Sequence, residues 1–175
     1  MPSGYRIHAP LLLNARQMQG LADVLIDCVE GGASVSFMLP MTQQKARDFW
    51  QHSAAALERG RLRVLLADSA DGTILGTVQL LLDQPENQPH RAAIAKMLVH
   101  RRARRQGIGQ ALLAAVEELA MELGKTLLVL DTASGDAERL YARQGWQYSG
   151  EIPAYALWPA GGACDTRIYY KLLRT

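Results

Sequence analysis

Four arginines and two glycines fall within nine residues, Arg101-Arg102-Ala103-Arg104-Arg105-Gln106-Gly107-Ile108-Gly109. Glycine lets a backbone turn tightly and come close to a ligand with no Cβ in the way. An amphipathic helix is predicted from Ile108 onward. Its unpaired N–H groups and the positive end of its dipole would point back at the loop and favour an anion there. Alone, the arginines would read as a solvated charge run. Combined with the glycine spacing and the start of a helix, they form a loop suited to a pyrophosphate.

Other phosphate loops fit less well. A dinucleotide fingerprint needs a third glycine where Leu112 stands, and no acid-ended second strand follows at the expected distance. Gly124-Lys125-Thr126 resembles the tail of a P-loop, but Leu119 occupies the place of its first glycine. That segment also lies between a helix and a strand, the reverse of the order a P-loop requires.

The elements that must position this loop are legible in the apolar periodicity. Tyr5–His8 is predicted as a short strand. Ala15–Glu30 reads as a helix with Leu21, Val24, Leu25 and Cys28 on one face, ended by Gly31-Gly32. Thr42 is placed to cap a second helix to about Arg59, with Gly60 closing it. Val64–Ala67 and Ile74–Leu82 flank Asp71-Gly72, a strong hairpin turn. Ala92–Val99 is a strand leading into the arginine–glycine loop. The helix from Ile108 carries Leu112, Val116, Leu119, Ala120 and Leu123 on one stripe and stops at Gly124. The apolar run up to Leu130 suits a central strand covered on both faces. A shorter helix carries Tyr141. Tyr148–Ile152 and Thr166–Leu172 are predicted as strands joined by a loop over Pro153–Ala163.

The chain has 175 residues, 49% of them hydrophobic, which suits one domain over residues 1–175 with a substantial core. Charge is nearly balanced, with 19 basic and 17 acidic side chains. Without the four loop arginines the acidic groups are in excess, so the basicity is local. A nucleic-acid binder would more often spread lysine and arginine over a face, and the chain has four lysines; no nucleic-acid partner is expected. Cys28 and Cys164 have no paired-cysteine spacing, and His8, His52, His90 and His100 have no i, i+4 partner, so no metal site is expected. Without a membrane-length apolar stretch or a charged segment leading an apolar run, no membrane association and a cytoplasmic location are expected.

Arg104-x-x-Gly107-x-Gly109 resembles the acyl-CoA loop of the GNAT acetyltransferases, Arg/Gln-x-x-Gly-x-Gly/Ala. Asp136-Ala137-Glu138-Arg139-Leu140-Tyr141-Ala142-Arg143-Gln144-Gly145-Trp146 resembles that family's Ala-x-x-Leu-Tyr-x-x-x-Gly-Phe signature. The loop alone is moderately specific; the two together at this separation are strongly so. The resemblance implies an α/β sandwich around a mixed, mostly antiparallel sheet, with helices on both faces. Strands 92–99 and 126–131 would form a central parallel pair that splays apart at the acyl-CoA site.

It also implies acetyl-CoA as co-substrate and the amine of a small molecule as acceptor, in a monomer or homodimer. The pyrophosphate would be held by Arg104, Arg105, Gln106, Gly107, Ile108, Gly109 and Gln110, and the pantetheine arm would pair with Met97, Leu98 and Val99. Ser134 stands where many members have an asparagine touching that arm. Tyr141 is the implied general acid: a phenol with pKa ~10 can hydrogen-bond a departing thiolate, whose reference pKa is about 8.5, and give it a proton. A half-buried helix tyrosine with a satisfied hydroxyl is the bland alternative. Asp131 ends an apolar strand, where an open α/β sheet presents ligand-binding groups. It could deprotonate or anchor the substrate ammonium, or equally be a strand-end turn or helix cap.

Within the family the chain is similar to the tabtoxin-resistance branch, whose acetyltransferases inactivate a β-lactam amino-acid toxin. The matching stretches are Gly31–Val35, Arg91-Ala92, Lys96–Val99, Leu130–Thr132, Gly150-Glu151 with Pro153-x-Tyr155, and Ile168–Lys171. Ala93 replaces an acidic residue of that branch, and the segment from Asp131 to Tyr141 is one residue shorter. Both departures lie near the acceptor side. A small amine of metabolic or antibiotic origin is therefore the expected acceptor. The competing class is a non-catalytic acyl-CoA-binding or sensor domain, against which the presence of both Tyr141 and Asp131 argues.

Overall fold

The computed structural model describes residues 4–133 and 135–174. Twelve elements follow one another: β1 (Tyr5–His8), α1 (Ala15–Glu30), α2 (Gln43–Glu58), β2 (Leu62–Ser69), β3 (Ile74–Leu81), β4 (Arg91–Val99), a short 3₁₀ turn (Arg101–Ala103), α3 (Ile108–Glu122), β5 (Leu127–Thr132), α4 (Gly135–Arg143), β6 (Gln147–Leu157) and β7 (Ala163–Leu172). The strands form one sheet in the order β1-β2-β3-β4-β5-β7-β6. Every neighbouring pair is antiparallel except β4 and β5, which are parallel. This is the expected mixed α/β sandwich.

Local chemistry explains the helix starts. Asn14 and Gln17 form a reciprocal capping box at α1. The Thr42 hydroxyl accepts the Lys45 N–H at 3.1 Å to cap α2. Helices α1 and α2 cover one face of the sheet through Leu21, Leu25, Trp50, Val64, Leu66 and Leu98. Helix α3 covers the other through Ile108, Leu112, Leu113 and Val116, which meet Leu80, Ala92, Leu128 and Leu130. The stripe expected on α3 shifts accordingly: Leu113 is fully buried, whereas Leu119 and Leu123 are only partly covered.

Strand β4 changes face midway. Its pairing with β3 skips a residue, since Gln79 opposes Ala95 while Thr77 opposes Leu98. Lys96 sits in this bulge with φ +51°. One extra residue inverts the alternation beyond it. Ala92 and Ile94 thus pack with α3, whereas Leu98 packs with α1 and α2, and Met97 and Val99 turn to the α3 side.

At the carboxyl end the expectation of a loop over Pro153–Ala163 is overturned. Strand β6 runs through Pro153 to Leu157, and β7 begins at Ala163. Proline is tolerated there because β6 is an edge strand and its register with β7 shifts between Ile152 and Ala156, where Ala154 has φ +53°. Strand β2 is likewise longer at both ends than Val64–Ala67. No helix among the described residues is long and apolar enough to cross a membrane.

Candidate active site

Strands β4 and β5 pair only at Arg91–Ala93 against Leu127–Val129. From Ile94 onward β4 leaves β5, and a cleft of about 440 Å³ opens between them. Its walls include Met97, Leu98 and Val99 from β4, Leu130, Asp131 and Thr132 from β5, and Tyr141 from α4, with Gly31–Val35 after α1 as a further wall. Met97, Leu98, Val99, Arg104, Asp131 and Tyr141 are therefore brought together in one cleft. Arg105, Gln106, Gly107, Ile108, Gly109 and Gln110 continue directly from it, between the 3₁₀ turn and the first turn of α3. Ser134 lies outside the described residues.

The loop is held from below by α1. Asp27 accepts the Arg101 backbone N–H at 2.8 Å and its Nε–H at 3.1 Å. Burial pushes the Asp27 carboxyl up, but the Arg101 donors and the His100 and Arg101 charges outweigh it, so the net shift is downward. His100 Nδ1 accepts the Arg102 N–H at 3.2 Å and fixes the turn from inside. Arg101 is thereby committed to the fold. Among the described residues Arg102, Arg104 and Arg105 form no ion pair with a carboxylate. Arg104 donates from Nε to the Val99 carbonyl at 3.3 Å.

The backbone of the loop suits an anion. Arg105 (φ +62°) and Gly107 (φ +78°) are both left-handed, and Gly107 is the N-cap of α3. Left-handed residues interposed in a turn gather N–H groups into an anion-binding concavity. No side chain caps this helix start, which leaves its N–H groups to a ligand. The two glycines differ. Gly107 is demanded by its own φ. At Gly109 a Cβ would meet Leu140 at 3.4 Å and Val99 at 3.9 Å, ordinary contacts. The fold has room for a side chain at Gly109, so its packing does not require glycine there.

Tyr141 is 4% exposed and packs between Trp146 and Tyr169, each with ring centroids 5.9 Å away. The Gly145-Trp146 end of its motif explains this setting. Trp146 N–H bonds back to the Tyr141 carbonyl at 3.0 Å, and Trp146 Nε1 donates to Glu117 Oε1 of α3 at 2.8 Å. Lys171 Nζ in turn meets Glu117 Oε2 at 2.7 Å. Burial first, and the nearby Asp131 charge second, push the Tyr141 phenol up to about 12. It keeps its proton.

Asp131 is exposed to the cleft, and its Oδ2 accepts the Thr166 hydroxyl at 2.9 Å. It also borders a smaller cavity of about 240 Å³ on the α1–α2 side of the sheet, with Ala93, Val129, Ile152, Tyr155 and Ile168. The two spaces share Ile94, Ala95, Leu130 and Asp131, so Asp131 stands where one opens into the other. Lys96, which sequence reasoning noted only as part of a matching stretch, also lines the larger cleft. Its bulge lies in a strand whose other residues from Ala92 to Val99 are all apolar, so no alternation marks it. Cys28 is buried and directs its thiol to the Val99 carbonyl at 3.4 Å; burial pushes the thiol up, which makes it an inert packing group.

Comparison with known proteins agrees with this geometry. The acetyltransferase (GNAT) family model matches residues 34–146. A protein of Azospirillum brasilense described as an uncharacterized N-acetyltransferase is 27% identical over 158 residues, covering 87% of this chain and 92% of that protein. A GNAT superfamily phosphinothricin acetyltransferase from Sinorhizobium meliloti, solved in complex with acetyl-CoA, superposes with a TM-score of 0.81 at 16% identity over 97% of this chain and 89% of that chain. An N-acetyltransferase from Staphylococcus aureus Mu50 gives 0.80 at 18% identity, covering 98% of this chain and 100% of that chain. The matched residues include both the arginine–glycine loop and the Tyr141 motif: the chain belongs to the GNAT family of acetyltransferases.

Proposed function

We propose that the protein transfers the acetyl group of acetyl-CoA to the amine of a small molecule, with Tyr141 as general acid and Asp131 as the group that receives the amine. The observation that carries this reading is the convergence of Tyr141, Asp131 and Met97–Val99 on the gap between β4 and β5. The residues present fit the co-substrate. Three arginines with no carboxylate partner among the described residues and an uncapped helix start suit a pyrophosphate, and Gly109 is a place where a Cβ is excluded by nothing in the fold itself. Backbone N–H groups from Arg105 to Gln110 would hold the phosphates, and Met97–Val99 would run along the pantetheine arm. Acetyl-CoA, when bound, supplies a thioester that exchanges its C–S bond for a C–N bond, so that ammonium and acetyl-CoA become amide, CoA thiol and one proton.

Asp131 holds the incoming ammonium by charge and takes its proton directly or through water. Its bond from Thr166 keeps the carboxylate oriented toward the cleft. Tyr141, neutral because buried, offers its O–H to the departing sulfur and later recovers a proton from solvent. The cavity bordered by Ile152, Tyr155 and Ile168 gives the acceptor an approach to Asp131 separate from the arginine–glycine loop. The resemblance to the tabtoxin-resistance branch puts toxins and antibiotics such as β-lactam amino acids among the acceptors, beside metabolic amines.

A thiol-release assay with acetyl-CoA against amino acids, aminoglycosides, β-lactams and polyamines tests this. Turnover with at least one amine is expected. Tight acetyl-CoA binding without thiol release for any acceptor would instead identify a non-catalytic acyl-CoA sensor.

A further inference from the structure

Lys96 is the unexplained charge of the cleft. A lysine with φ +51° is uncommon and strained, and such residues persist only where the surrounding structure fixes them. The bulge that imposes this conformation sends the side chain to the α2 side. There Nζ lies 5.4 Å from the centre of the Phe49 ring and 3.4 Å from the Ser36 hydroxyl. Among the described residues it pairs with no carboxylate. It is half-buried. Burial pulls its pKa down and Asp131 raises it, so the two charges sense each other across the cleft without touching. The cation is held on a ring face and a single hydroxyl, in a cleft that also contains a carboxylate.

Two opposite charges lining one cleft, with no ion pair between them, match a ligand that carries both. We propose that the acceptor is a zwitterion, an amine whose carbon skeleton also bears a carboxylate, with Lys96 holding the carboxylate and Asp131 the ammonium. This rests on the acetyltransferase reading above and names its substrate class. The division of labour follows from position. Asp131 stands where the two cavities meet and lines the larger one together with Tyr141, so the reacting nitrogen belongs there. Lys96 anchors the other end toward Phe49 and Ser36. It is a specificity residue and touches no reacting atom.

Matched pairs test the proposal: amino acids and their decarboxylated amines, such as lysine with cadaverine and phenylalanine with phenethylamine. Each pair is measured by thiol release and by calorimetric binding to the protein saturated with CoA, which cannot react. The expected result is a kcat/KM and an affinity for at least one amino acid roughly ten- to a hundredfold above those of its amine, the scale of a charge-assisted hydrogen bond. Lys96→Met should collapse that ratio toward one through a raised KM for the amino acid, and Lys96→Arg should restore most of it. Equal or better use of the amines, or a ratio unmoved in a folded Lys96→Met, would overturn the proposal. So would the absence of any amino-acid acetylation and binding in protein whose melting temperature rises with acetyl-CoA. That last result leaves room for other amine acceptors, whereas failure to bind acetyl-CoA at all defeats both readings.

Discussion

The buried hydroxyl of Thr166 on β7 donates to Oδ2 of Asp131 on β5 at 2.9 Å, fixing one carboxylate oxygen while the residue remains exposed to the cleft. A strand-end aspartate that merely capped a helix or turn would use its oxygens on backbone N–H groups. Here the partner is a side chain on the neighbouring strand β7, and it orients the carboxylate. Asp131→Asn is nearly isosteric and removes the charge. It should raise KM for the amine, lower kcat, or both, with KM for acetyl-CoA little changed. Thr166→Val should do the same more weakly, up to about tenfold, because one hydrogen bond contributes roughly 1 kcal/mol. Steady-state kinetics varying each substrate in turn checks this; a loss confined to acetyl-CoA would make Asp131 structural.

The two loop glycines should part company. Gly107→Ala forces a side chain into a left-handed position (φ +78°), a cost of roughly 1–2 kcal/mol that lowers the melting temperature. Gly109→Ala meets only ordinary contacts in the first turn of α3, where alanine is favoured by up to about 1 kcal/mol. It should leave the melting temperature unchanged or higher. Yet both substitutions, and more severely Gly107→Val and Gly109→Val, should reduce the rise in melting temperature that acetyl-CoA produces by linkage. An undiminished shift in Gly109→Val would remove the loop from the binding site.

Much of this architecture is legible in the sequence because local signals and tertiary packing agree. The 3.6-residue stripe of α1, the Asp71-Gly72 hairpin and the continuous run of β5 all correspond to elements of the structure. The loop and the Tyr141 motif stand out because Gly107 serves a backbone need and Trp146 a packing need, and each leaves a residue-type signature. Lys96 had none. Its inversion of β4 is invisible in Ala92–Val99, where apolar residues occupy both faces and no alternation can break. The extent of β6 was hidden for the opposite reason, since Pro153 signals a break that an edge strand with a register shift does not need to obey. The role of Glu117 was also beyond a sequence reading. A carboxylate on an apolar helix stripe becomes sensible only when Trp146 and Lys171 arrive from distant segments.

The pH profile should carry no ionisation of Tyr141. Tyr141 is raised, so its protonated form is favoured, and the proton stays on as pH passes through the ordinary phenol range; it is lost only near about 12. Activity should rise with pH as the amine or its base loses a proton. No alkaline fall that belongs to Tyr141 should occur at about pH 8 to 10, and any fall from loss of the Lys96 proton should survive in Tyr141→Phe. A bell-shaped profile whose alkaline limb disappears in Tyr141→Phe would contradict the raised pKa.

The most direct test of the proposed machinery is Tyr141→Phe in single-turnover acetyl transfer, where chemistry is isolated from product release. The substitution keeps the ring between Trp146 and Tyr169 and removes only the O–H. The predicted result is a rate lower by roughly 10²–10⁴-fold, the range of general-acid contributions, with acetyl-CoA affinity close to that of the unaltered protein. An unaltered single-turnover rate would contradict it and make Tyr141 a packing residue.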